Sequence, residues 1–162
     1  MFDWLNSLFS SGAERRVLIV CTANVCRSPA AEALIRFHLK RLGKSSLVSV
    51  ESAGVSVANP GQQPDVRMRD IGGELGVTFK GIRSRSISTF DLSAFDVVWC
   101  MERAHLDEVS RLESQPGTLE LFDPSDADIA DPFYQSKAAV RDTFELLDTI
   151  ARTRASQIVN ET

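Results

Sequence analysis

Cys21 and Arg27 are separated by five residues in a short polar loop, and that pairing of types describes an anion site built around sulfur. The run Val17-Leu18-Ile19-Val20 before the loop is wholly apolar, and a helical pattern opens at Ser28-Pro29. This is the pattern of a buried parallel strand, a tight loop and a helix N-terminus, with Ser28 expected at the N-cap and Pro29 at N1. Backbone N–H groups of such a loop converge on one point, and the helix dipole adds partial positive charge there. Cysteines in such settings ionise at about pH 3.5–7.5, against about 8.5 for the free residue. The planar fork of Arg27 can grip two oxygens of a tetrahedral dianion. A thiolate under a phosphate cradle is what in-line attack on phosphorus needs.

The Cys-x5-Arg-Ser pattern of Cys21, Arg27 and Ser28 resembles the phosphate loop of cysteine-dependent phosphatases. Lying near the start of the chain, with Asn24, Cys26 and Pro29 in place, it is similar to that of the low-molecular-weight protein tyrosine phosphatases. The resemblance implies an α/β, three-layer Rossmann-like fold: a four-stranded parallel sheet of order 2-1-3-4 with helices on both faces. It makes Cys21 the nucleophile and Arg27 the group that holds the phosphate through the transition state. Thr22, Ala23, Asn24, Val25 and Cys26 complete the phosphate loop, and Ser28 stabilises the sulfur anion. Asp131, in Asp131-Pro132-Phe133-Tyr134, falls where the family carries its general acid and base. Ser52, in Ser52-Ala53-Gly54, matches the serine that supports the loop asparagine, here Asn24. Phe133 and Tyr134 suit the wall of a slot around a phenyl ring. The implied reaction is hydrolysis of phosphotyrosine in a protein substrate through a cysteinyl-phosphate intermediate. It calls for no cofactor and no metal, because Arg27 and the backbone do the cationic work.

Departures from the family pattern keep other readings open. Ala23 stands where most relatives have glycine, at a cost of about 1–2 kcal/mol if the position needs positive φ. In Gly81-Ile82-Arg83-Ser84-Arg85, Ile82 replaces the family's histidine, and Glu102 follows a strand where many relatives carry Asp. Thr22 resembles the phosphoarginine phosphatases of the same superfamily, which supplies the alternative substrate. Asp131-Pro132-Phe133-Tyr134-Gln135-Ser136 resembles the bacterial members paired with tyrosine autokinases of exopolysaccharide export, and so names an autokinase as candidate partner. An arsenate reductase would need two further cysteines for its disulfide relay, and outside the loop only Cys100 remains. A phosphoresidue-binding module without catalysis could dispense with the nucleophile or the acid, and both are present. Cys26 either packs behind the loop or pairs reversibly with an oxidised Cys21.

The rest of the chain must position these groups. Its 162 residues make one domain the natural count. A net charge of −4 argues against nucleic-acid binding driven by basicity. Three cysteines cannot close a disulfide framework, so a reducing compartment, the cytoplasm, is expected. His38 and His105 show no metal-ligand spacing and are expected on a helix surface or interface. Residues 1–15 form an N-terminal extension, with Phe2, Trp4, Leu5, Leu8 and Phe9 on the greasy side of a short amphipathic helix. That extension either packs on the domain or docks to a partner or a membrane surface. Residues 16–160 form the phosphatase domain. Within it the apolar patterning predicts strands over 47–51, 95–101 and 118–122 besides the first. Helices are predicted over 29–42, 64–75, 104–112 and 137–158.

Overall fold

A parallel strand buried on both faces needs apolar side chains on both sides, and the first strand provides them. In the computed structural model, which describes residues 14–161, β1 runs Arg15–Cys21. The apolar residues Phe2 to Phe9 of the expected extension lie outside the described residues. α1 (Arg27–Arg41), β2 (Val48–Gly54), α2 (Val66–Glu74) and β3 (Val97–Cys100) follow. The chain closes with α3 (Arg103–Ser110), β4 (Thr118–Leu121) and α4 (Lys137–Asn160). The sheet has the order β2-β1-β3-β4 and all three pairings are parallel. Val17, Ile19 and Cys21 join a core with residues of α1, α2 and α4. Leu18 and Val20 join a second with Leu92, Phe95 and Val109. The expected three-layer α/β architecture is therefore present.

This strand order decides where a ligand can go. The chain crosses from β1 to β2 on one side and then from β2 back past β1 to β3 on the other, so the switch point lies at the carboxyl end of β1, where open α/β sheets form their binding crevice. Cys21 is the last residue of β1, in register with Gly54 of β2. Gly54 is there because the loop presses on it. A Cβ at this position would sit 2.5 Å from the Thr22 carbonyl oxygen and 2.9 Å from the Asn24 nitrogen.

Local details differ from the expectation. α1 begins at Arg27, with Cys26 as N-cap and no side-chain capping bond, so Ser28 is not the cap and Pro29 is not the first helical residue. Pro29 still costs no hydrogen bond, because N–H groups of a first helical turn have no intrahelical partner. β2 extends through Ser52-Ala53-Gly54, which continue the pairing with β1. α2 starts after Asp65, whose carboxylate accepts from the Arg67 N–H. Ile82 is buried in the first core, so apolar packing occupies the place of the family's imidazole. Ala23 does not adopt positive φ; Asn24 does, at 56°. Among the described residues no helix is long and apolar enough to cross a membrane.

One buried acid makes the stability of α1 pH-dependent. Glu32 is 1 % exposed, and burial raises its pKa from 4.5 to about 7 against the opposing charge of Arg36, whose Nη2 lies 3.2 Å from Oε1. The native carboxyl thus holds its proton to higher pH than the unfolded one. Stability is fully present below pH 4.5 and falls as pH rises through about 7. Glu32→Gln keeps an acceptor for Arg36 and removes the titration. Its unfolding free energy is expected to gain on wild type by about 2–3 kcal/mol between mildly acidic and mildly alkaline pH. Urea unfolding at both pH values checks this, and a pH-independent difference contradicts it.

Candidate active site

The loop after β1 is folded by its own side chains. Asn24 sits in the left-handed region, which Asn tolerates better than most residues. Its Nδ2 donates to Ser28 Oγ at 2.8 Å and to Ser52 Oγ at 2.9 Å, and its Oδ1 accepts from the Arg85 backbone N–H at 2.9 Å. Buried at 1 % exposure, this amide ties the loop to α1, to β2 and to the segment after Gly81. Ser28 Oγ lies 2.9 Å from Cys21 Sγ and 3.4 Å from the Ala53 carbonyl. Since Asn24 donates into Ser28, the serine hydrogen is free to point at the sulfur. The hydroxyl expected to cap the helix thus serves the thiol instead.

Arg27 is 1 % exposed, and one of its terminal nitrogens is fully engaged. Nη1 donates to Glu102 Oε2 at 2.8 Å and to the Ile129 carbonyl at 2.6 Å. Nη2 has only a long contact to Thr22 Oγ1 at 3.4 Å and an ion pair to Asp131 Oδ2 at 3.6 Å. Glu102 thereby turns the Nε–Nη2 edge of the fork away from itself, the edge that suits two oxygens of an anion. Asp131 has an exposed side chain, and its Oδ1 accepts from the Phe133 N–H at 3.1 Å. Phe133 and Tyr134 pack edge to face with centroids 4.8 Å apart, and Tyr134 is 94 % exposed.

Two participants were not picked out by sequence reasoning. His105, expected on a surface or interface, is 3 % exposed and its Nε2 lies 2.9 Å from Thr22 Oγ1. Its Nδ1 accepts from the Glu102 backbone N–H at 3.2 Å, so the hydrogen sits on Nε2 and is donated to Thr22. Burial lowers its pKa, with Arg27 adding to the effect, which keeps this tautomer neutral. The signal was an imidazole three residues after the acid that precedes α3, in the pattern of a capping box. The other is the Ile129 carbonyl, which no side-chain pattern could announce. His38 does lie at a helix interface, with Nε2 2.6 Å from Asp148 Oδ1 between α1 and α4. Cys26 is buried, and burial pushes its thiol up to about 12. Asp126 and Asp128 lie exposed in the turn before Asp131, where Asp126 pairs with Arg103.

The model of the low molecular weight phosphotyrosine protein phosphatase family matches residues 16–162. The chain belongs to this family of hydrolases. A low molecular weight protein-tyrosine-phosphatase of Bacillus subtilis, YfkJ, is 29 % identical over 150 residues, covering 88 % of this chain and 92 % of its own. Among solved structures, Vibrio vulnificus Wzb in complex with benzylphosphonate aligns with a TM-score of 0.78 and 26 % identity. That alignment covers 90 % of this chain and 99 % of Wzb. The YwlE arginine phosphatase from Geobacillus stearothermophilus aligns with a TM-score of 0.79 and 30 % identity, over 91 % and 94 % of the two chains. Both substrate classes weighed above therefore have structural relatives.

Proposed function

We propose that the protein hydrolyses phosphotyrosine in protein substrates through a phosphate ester of Cys21. The observation that carries the reading is the grouping at the end of β1: a thiol in contact with Ser28, a buried guanidinium, and a carboxylate 3.6 Å from that guanidinium. The Cys21 sulfur attacks phosphorus, the S–P bond forms, and the P–O bond to the phenol breaks. Asp131 gives its proton to the departing oxygen, then takes one from the water that attacks the thiophosphate. Arg27 and the loop N–H groups hold the equatorial oxygens, where charge lies through the transition state. The Ser28 hydroxyl stabilises the sulfur anion as it leaves.

The exposed aromatic pair Phe133–Tyr134, two residues beyond Asp131, supports the phenyl ring of phosphotyrosine, which the two rings can contact by stacking or edge to face. Val25, half-buried in the loop, adds to the apolar lining. The phosphoarginine reading keeps one specific support, Thr22, together with the 30 % identity to an arginine phosphatase. Turnover of a phosphotyrosine peptide and a phosphoarginine peptide in one assay separates them. The phosphotyrosine peptide is expected to have the higher kcat/KM, and the reverse order overturns the assignment. A tyrosine autokinase of exopolysaccharide export is the proposed partner, supported by residues 131–136 and by the likeness to Wzb. The proposed setting is a reducing cytoplasm, which would keep Cys21, Cys26 and Cys100 as the free thiols they are here.

A further inference from the structure

We propose that Arg67, at the start of α2 and outside the phosphate loop, is a positioning residue for the general acid. This rests on the reading of Asp131 as that acid. Arg67 spends its donors in two directions. Toward its own helix, Nε and Nη2 donate to Asp65 Oδ1 and Oδ2 at 3.1 and 2.8 Å. Across the gap to the segment after Asp131, Nη2 donates to the Phe133 carbonyl at 2.8 Å and Nη1 to the Gln135 carbonyl at 3.2 Å. The guanidinium also lies 5.8 Å from the centre of the Phe133 ring. The N–H of the same residue, Phe133, donates to Asp131 Oδ1. A continuous path thus leads from Arg67 through the Phe133 backbone to the Asp131 carboxylate, whose other oxygen faces Arg27.

The far end of the path is anchored to the phosphate loop. The Asp65 backbone N–H donates to the Val25 carbonyl at 2.7 Å. Asp65 and Arg67 therefore link the loop that holds the phosphate to the loop that carries the acid. On the near side of Asp131 the loop is held by the Ile129 carbonyl, which accepts from Arg27 Nη1 at 2.6 Å. On the far side, where Asp131 lies on an exposed turn, the bonds of Arg67 to the Phe133 and Gln135 carbonyls hold it. Position matters here because a proton donor must lie within hydrogen-bond reach of the leaving oxygen, and small displacements are costly. Arginine suits the place: its planar fork satisfies a carboxylate and two carbonyls at once, which a lysine ammonium cannot reproduce in the same geometry.

The test separates acid positioning from general loosening. kcat/KM is measured for phenyl phosphate, whose leaving group needs a proton, and for 2,4-dinitrophenyl phosphate, whose leaving group does not. Arg67→Ala is expected to lose about tenfold or more on phenyl phosphate and under twofold on the activated ester. Arg67→Lys should fall between wild type and Arg67→Ala. In an Asp131→Asn background, Arg67→Ala should cause no further loss on phenyl phosphate, because the group it positions is gone. Equal losses on both esters, no loss on either, or a full additional loss in the Asp131→Asn background overturns the proposal. If Asp131→Asn alone leaves phenyl phosphate turnover intact, the assignment of the acid fails first, and this inference with it. The melting temperature of each variant identifies any that has failed to fold, in which case Arg67→Lys carries the comparison.

Discussion

Cys21→Ser is expected to lose at least about 10⁴-fold in kcat toward p-nitrophenyl phosphate, while its unfolding transition and its affinity for inorganic phosphate stay near wild type. The size follows from the chemistry left behind. A serine hydroxyl at the end of β1 can still meet Ser28 Oγ, now 2.9 Å from the sulfur, so the loop keeps its bonds. Arg27, Asn24 and the loop N–H groups are untouched and continue to hold an anion. What disappears is the sulfur nucleophile, and this site places no base beside an alcohol to activate the oxygen that replaces it. Steady-state rates with phosphate inhibition measured in parallel check both halves. Substantial residual turnover would mean that another group attacks phosphorus.

Asp131→Asn is expected to reduce kcat/KM on phenyl phosphate by about 10²–10⁴-fold and on 2,4-dinitrophenyl phosphate by far less. Asparagine keeps an oxygen that can accept from the Phe133 N–H, so the turn at 3.1 Å survives. It removes only the proton and the charge. The lost ion pair to Arg27 involves a carboxylate that is 42 % exposed and 3.6 Å away, so its removal changes stability by under about 1 kcal/mol. A leaving-group series read as kcat/KM reports this directly. A loss that is uniform across the series would assign Asp131 to binding rather than to proton transfer.

Much of the fold was legible because its carriers are local. The alternation of strands and helices and the apolar run before Cys21 act through nearest neighbours in the chain. The error at the start of α1 is instructive. Ser28-Pro29 reads as a cap and first turn, yet the helix starts at Arg27, because the Ser28 hydroxyl is drawn to Cys21 and Asn24 instead. Bonds within the phosphate loop outweighed the capping preference. The loop residues, Ser52 and the Asp131-Pro132 segment were legible as motif, and the structure brings Ser52 to Asn24 and Asp131 to Arg27. The concern over Ala23 was not resolvable from sequence, since which residue takes positive φ depends on the bonds Asn24 makes to distant elements. His105 escaped notice for a similar reason: it lies 83 positions from Thr22, and only the adjacency of β1 and β3 brings the two together. Arg67 likewise meets Phe133 across 66 positions.

The central claim is that Cys21 itself carries the phosphoryl group during turnover. Wild-type protein mixed with p-nitrophenyl phosphate and quenched in denaturant within the first turnover should yield a peptide containing Cys21 that bears one phosphate, accompanied by a burst of p-nitrophenol equal to the enzyme present. Phosphate found on another residue, or full turnover with no phosphorylated peptide and no burst in wild type or in Asp131→Asn, would contradict it.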